Sequence, residues 1–258
     1  MNNPELIKSL KRIGWIAGLF LTLVLIVSAI ERKSGSEIKQ LEIVINPLPG
    51  GYRLIDTSDV RELIRRSFGF DLEGQKQNIV NVNRLERILI DDEFVLHSEV
   101  HINSQNEVKI ELWQREPILR IIDNNGANYY LDKDGVKLGQ SKHFTARVPV
   151  ATGNLPLFSD DFLTKEEDLI KDLFQLVNLL RQDEFYRALI EQIHVNADGF
   201  NLIPKVGDQK ICFGKMVNPE EKLERLKIFY QNGMPYEGYT KYVNLDLRYE
   251  GQVVAERR

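Results

Sequence analysis

Tyr242-Val-Asn-Leu-Asp-Leu-Arg-Tyr249 alternates apolar and polar side chains along its length. Successive strand residues point to opposite sides, so Val243, Leu245, Leu247 and Tyr249 share one face and Asn244, Asp246 and Arg248 the other. This period-2 pattern predicts a half-buried β-strand. Gly251 breaks it, and Gln252-Val-Val-Ala255 offers one more short strand. A last strand is often an edge strand, whose free N–H and C=O groups are open to a partner. It can equally complete the sheet and stay idle, and periodicity does not separate the two.

Upstream, Asn218-Pro219-Glu220-Glu221 reads as a helix start, with a cap, proline at the first position and acids in the first turn. That helix runs through Leu223, Leu226 and Phe229 to Gly233-Met-Pro235. Ile190–Val195, Phe200–Ile203 and Gln209–Phe213 read as successive antiparallel strands. A long helix is predicted from Thr164, with Glu167 completing a capping box and Leu169, Ile170, Leu173, Phe174, Leu176, Val177 and Leu180 forming a wide apolar face. Arg147–Val150 is another short strand. Asp123-Asn-Asn-Gly126 and Asp132-Lys-Asp-Gly135 are turns, flanked by Tyr129–Leu131 and Val136–Leu138.

The order before residue 117 is β-α-α-β-β. Ile38–Ile45 is a β-branched strand ended by Asn46-Pro-Leu-Pro-Gly-Gly51. Asp56 or Thr57 caps a helix with Val60, Leu63, Ile64 and Phe68 on one stripe and Gly69 at its end. A second helix is expected to open at Asn83, with Glu86 three residues on and Leu85, Ile88 and Leu89 buried. Two alternating strands follow, one with Val100 and Ile102 inward, the other with Val108, Ile110 and Leu112. Ser104–Glu107 joins them, and Pro117 stops regular pairing.

Ile13 to Ile30 carries no charge and is almost wholly apolar. At about 1.5 Å per residue such a helix spans roughly 27 Å, near the ~30 Å hydrocarbon core of a bilayer. Lys8, Lys11 and Arg12 precede it, so the positive-inside tendency leaves residues 1–12 in the cytoplasm. Val27-Ser28-Ala29 resembles a signal-peptidase site, but signal h-regions run only about 7–15 residues. Residues 31–258 are then expected outside the cytoplasmic membrane, as one large domain or two small ones.

Charged residues make up 28% of the chain and hydrophobic residues 43%, which fits a globular protein. A net charge of -4 with interspersed signs argues against nucleic-acid binding. With Cys212 as the single cysteine, no intramolecular disulfide can form; in its apolar strand it reads as a small hydrophobe. His97 and His101 are four apart, but on a strand and without the glutamate of a zinc helix. His143 and His194 are isolated, and the Asp-rich turns lack the spaced ligands of a calcium loop. No catalytic, cofactor or metal site is expected.

The assembled pattern resembles the bacterial cell-division FtsQ (DivIB) family over most of the chain. The resemblance rests on Arg115-Glu116-Pro117-Ile118, Tyr129-Tyr-Leu-Asp-Lys-Asp-Gly-Val136, the Leu223-Glu-Arg-Leu226 helix after Phe213-Gly214 and, most specifically, Tyr242–Tyr249. It implies an α+β chain: a cytoplasmic tail (1–12), a single transmembrane helix (13–30), a POTRA-type β-α-α-β-β module (38–117) and a mixed, mainly antiparallel β domain with helices packed on it (118–258). It implies a non-enzymatic bitopic scaffold at the division septum of the inner membrane, periplasmic in bulk. That scaffold would link early and late division proteins and help control septal peptidoglycan synthesis through FtsB/FtsL-type coiled-coil partners. Carried over, the partner site falls on Tyr249, Gln252, Val253, Val254 and Ala255, with Leu223 and Leu226 nearby. A proline at Val253 or Val254 would then block strand addition. The chain departs from the family in its short tail and in having Glu256-Arg257-Arg258 where some relatives carry an aromatic residue. A membrane-anchored POTRA-bearing export or assembly factor is the alternative.

Overall fold

The computed structural model describes residues 14–28 and 35–258. Residues 14–28 form helix α1, whose side chains are exposed throughout; the Thr22 hydroxyl donates to Leu19 O at 2.8 Å. No helix among the described residues is long and apolar enough to cross a membrane. The expected tail and residues 13, 29 and 30 of the expected span lie outside the described residues. The rest divides into two units. One takes the described residues up to Pro47 together with Ile55–Gln114, the other Leu48–Leu54 together with Arg115–Arg258.

The first unit runs β1 (Gln40–Asn46), α2 (Thr57–Phe68), α3 (Val82–Ile90), β2 (Val95–Ile102), β3 (Glu107–Gln114). Its three strands lie in the order β1-β3-β2, with β1 parallel and β2 antiparallel to β3. Asp56 caps α2 by accepting from the Ser58 and Asp59 N–H groups, and Asp59 accepts in return from the Asp56 N–H. The helix ends at Gly69 in a left-handed turn at φ 82°, where a side chain would be strained. The α3 cap differs from expectation. Asn81, not Asn83, accepts the Arg84 N–H, and Glu86 instead reaches across to the Val100 N–H at 3.0 Å. Leu85 and Leu89 are completely buried, whereas Ile88 is half-buried.

The second unit is a mixed nine-stranded sheet, β12-β11-β10-β9-β8-β7-β4-β5-β6. In chain order its strands are β4 (Pro117–Asp123), β5 (Asn128–Asp132), β6 (Lys137–Leu138), β7 (Val150–Gly153), β8 (Ile190–Asn196), β9 (Gly199–Pro204), β10 (Lys210–Gly214), β11 (Tyr242–Asp246) and β12 (Val254–Arg257). The helices are α4 (Leu169–Gln182), α5 (Glu184–Leu189), α6 (Pro219–Asn232) and α7 (Met234–Glu237). Pairing is parallel at β4–β7, β7–β8 and β10–β11; the other neighbours run antiparallel.

The register sets the core. Ile121, Ala151, Ile193, Leu202, Ile211 and Leu245 line up across six strands and are fully buried. Helix α4 covers this core with Ile170, Leu173, Leu176, Val177 and Leu180, and α6 with Leu223, Leu226 and Tyr230. Each fully buried Leu or Ile contributes about 1.5–3 kcal/mol relative to an exposed one. The neighbouring row, Ile122, Thr152, His194, Asn201 and Cys212, points to the opposite, more polar face.

Several expected boundaries move, each for a local reason. Helix α4 starts after Asp168, whose carboxylate accepts the Ile170 and Lys171 N–H groups at 2.8 and 3.2 Å. Thr164 instead closes a turn onto Asp161 O. Strand β7 begins at Val150, because Pro149 offers only its carbonyl, which takes the Arg120 N–H. Asn218 sits in the left-handed region at φ 48° with no side-chain cap bond, leaving Pro219 to start α6. Strand β11 stops at Asp246, three residues short of the expected Tyr249.

Candidate functional site

Strand β12 ends one side of the nine-stranded sheet, and its outer side faces no strand among the described residues. Which backbone groups face outward follows from two bonds. The Arg258 N–H donates inward to Lys241 O at 3.0 Å, and the Leu247 N–H donates to Cys212 O, away from β12. Strand residues alternate in direction, so Asp246 and Asn244 turn toward β12. Their partners Val254 and Glu256 turn inward to meet them. Ala255 and Arg257 therefore present their backbone N–H and C=O groups outward. A proline at Val254 would break the bond to β11, so Ala255 is the better position for blocking the edge alone.

The expected site residues separate into layers. Val253 and Ala255 pack against the core, while Val254 is 43% exposed. Tyr249 is exposed in the connection after β11 and lies outside the strand. The carbonyl of Gln252 is held from below by α6. Leu223 and Leu226 are buried core residues, so they support the edge from beneath and do not line its surface.

The residue that organises this corner is Arg225, which periodicity alone did not single out. Its guanidinium donates to three carbonyls of the β11–β12 connection: Leu247 O at 3.2 Å, Tyr249 O at 2.5 Å and Gln252 O. Its Nε lies 3.5 Å from Glu221 Oε1, one turn earlier on α6. Arg225 lies inside the Leu223-Glu-Arg-Leu226 segment, but helical spacing gives no hint that its partners are distant carbonyls.

Electrostatics bend the strand at the same corner. Asp246 accepts from the Arg248 backbone N–H at 2.9 Å and pairs with its guanidinium at 2.6 Å. The hydrogen bonds from Arg248 hold the Asp246 carboxyl below its usual range, and Asp246 raises the Arg248 pKa in turn. This local turn ends β11, because Arg248 bonds its neighbour and leaves the alternation. Burial pushes the Cys212 thiol up, and that thiol donates to Asn244 Oδ1 at 3.1 Å. Burial, with Arg225 beside it, lowers the Lys222 ammonium, which lies over the Phe213 ring and donates to Lys215 O.

The remaining candidates have structural partners. Asp123 Oδ1 accepts the Asn125 and Ala127 N–H groups. Asp132 Oδ1 does the same for Asp134 and Val136, while Oδ2 meets Arg115 at 2.9 Å. These bonds account for both Asp-rich turns. His97 is exposed on β2, its ring tilted 35° to that of Trp113 at 5.2 Å between centroids, and lies 3.4 Å from Glu99. His194 meets the Thr152 hydroxyl on the polar face of the sheet.

A family model described as FtsQ/DivIB, C-terminal related, matches residues 116–256, more than half of the chain. The match takes in β4 through most of β12, including the edge and the Arg225 corner. No curated protein matches the chain.

Proposed function

The chain belongs to the FtsQ/DivIB family of cell-division proteins, and we propose that it works as a non-enzymatic division scaffold whose principal partner adds a strand to β12. The observation that carries this reading is the edge itself. Ala255 and Arg257 turn their backbone groups outward on a strand whose outer side has no neighbour among the described residues. Backbone pairing would supply affinity, and side chains beside Val254 and Glu256 would supply specificity. By family resemblance the partner is an FtsB/FtsL-type bitopic coiled-coil protein, and the role is to couple early and late division proteins to septal peptidoglycan synthesis.

Two further elements complete the proposal. The apolar run from residue 13 to 30 serves as the single inner-membrane anchor, with residues 1–12 cytoplasmic and the remainder periplasmic. The β-α-α-β-β unit acts as a POTRA-like recruitment module.

The test is in-cell photocrosslinking from position 254 of the full-length chain, repeated in an Ala255→Pro background. The expected result is one small bitopic coiled-coil protein crosslinked, and its loss in the proline variant at unchanged thermal stability. A crosslink that persists in the folded proline variant would remove strand addition as the binding mode.

A further inference from the structure

A second surface of the larger unit lies away from the edge. A groove of about 530 Å³ is bounded by the Pro49–Tyr52 segment, the start of β4, the 144–149 loop and the α4–α5 corner. Its floor is apolar: Ile118, Leu180 and Ile190 are each about 1% exposed. One wall is aromatic, with Tyr52 stacked on Phe144 at 4.2 Å between ring centroids and 18° between planes. Burial raises the Tyr52 pKa, with help from Glu116.

The rim is basic. Arg147, Arg181 and Arg187 border the groove against the single carboxylate of Glu116. Arg181 is already 3.4 Å from Glu116. Arg147 and Arg187 are exposed and make no salt bridge among the described residues; Asp183, which faces Arg187, is taken by Lys227 at 2.5 Å. The chain as a whole carries -4, so this concentration of positive charge runs against its average. These arginines line the same groove as the buried apolar floor. A compact anion needs converging donors. A peptide with an apolar side chain between carboxylates needs a buried floor, with cations on either side of it.

We infer that this groove docks an extended acidic peptide segment of a partner protein, seating one aromatic or large apolar side chain between Tyr52 and the Ile118–Ile190 floor, with flanking carboxylates on Arg147 and Arg187. The site is separate from β12, so one chain could hold two partners, or two segments of one partner, at the same time.

The experiment uses the full-length chain in detergent and a dye-labelled Gly-Asp-Glu-Phe-Glu-Asp-Gly peptide, read by fluorescence anisotropy. Two control peptides replace Phe by Gly, or every acid by Lys. The expected result is saturable binding of the first peptide, at least tenfold weaker binding without the Phe, and none for the basic peptide. Arg147→Glu combined with Arg187→Glu is expected to weaken binding at least tenfold, and Ala255→Pro to leave it unchanged. Both arginines are exposed, so folding should survive; circular dichroism checks this, and Arg147→Gln with Arg187→Gln gives a milder variant in the same direction. Equal binding of the Phe and Gly peptides would reduce the surface to nonspecific charge attraction and overturn the proposal. So would unchanged binding in the folded double variants, or loss of binding in Ala255→Pro.

Discussion

Replacing Arg225 by alanine should loosen the β11–β12 corner while leaving the rest of the sheet intact. The side chain is only 13% exposed and gathers the Leu247, Tyr249 and Gln252 carbonyls. A hydrogen bond from a charged donor contributes about 1.5–3 kcal/mol in favourable settings. Two of these carbonyls lie near solvent and can bond water after the change, so the three do not add in full. A net loss of ~2 kcal/mol is the better figure, with the Leu247 bond carrying most of it. If the loss is confined to local opening, ~2 kcal/mol corresponds to a roughly 30-fold fall in amide protection. Hydrogen exchange read by mass spectrometry on a peptide covering residues 246–257 measures it directly. Protection in β8 and β9 should change little, because their core row is untouched. Arg225→Lys should recover only part of the effect, since one ammonium cannot reach three carbonyls in a fork. Unchanged protection across residues 246–257 in the alanine variant would refute the clamp. An equal loss across the whole sheet would show instead that Arg225 supports global stability.

Two predictions address the buried charges. Asp132→Asn keeps an acceptor for the Asp134 and Val136 N–H groups but leaves Arg115 without its counter-charge; a loss of about 2–4 kcal/mol in denaturant unfolding is expected, and adding Arg115→Met should recover much of it. An undiminished midpoint would mean that the pair is energetically idle. Asp246 concerns pH. Its folded-state pKa is lowered by Arg248 below the usual 3.8, so the stability it supplies is present above that value and disappears as pH falls through the folded-state pKa. Asp246→Asn should therefore be less stable than the parent near neutral pH, and the two unfolding curves should converge in acid. A gap that stays constant down the acid limb would contradict the assignment.

How much was legible in the sequence depends on how local each cause is. Alternation and helical stripes depend on near neighbours, so β2, β3, β8, β9, β10 and the buried faces of α4 and α6 could be read directly. Turns closed by their own residues were legible for the same reason, as at Asp123 and Asp132. Helix starts were less so, because several residues compete for one cap. Thr164 and Asp168 both precede the α4 stripe, and only the fold decides which carboxyl or hydroxyl meets the free N–H groups.

The end of β11 is the more instructive case. Tyr242 to Tyr249 keeps perfect alternation, yet the strand stops at Asp246, because strand length is set by available partners and not by pattern alone. Beyond Asp246 no residue of β12 is left to pair, the Asp246–Arg248 turn competes locally, and Arg225 takes the carbonyls that would otherwise continue the ladder. The same competition leaves β12 short. Four residues held on one side, their connection pinned by one helix arginine, form an edge with little of its own stability. A partner strand would supply the pairing that no described strand gives there. On this reading the edge is cheap to open and gains most from being covered, so partner binding should raise amide protection in β12 more than anywhere in the core.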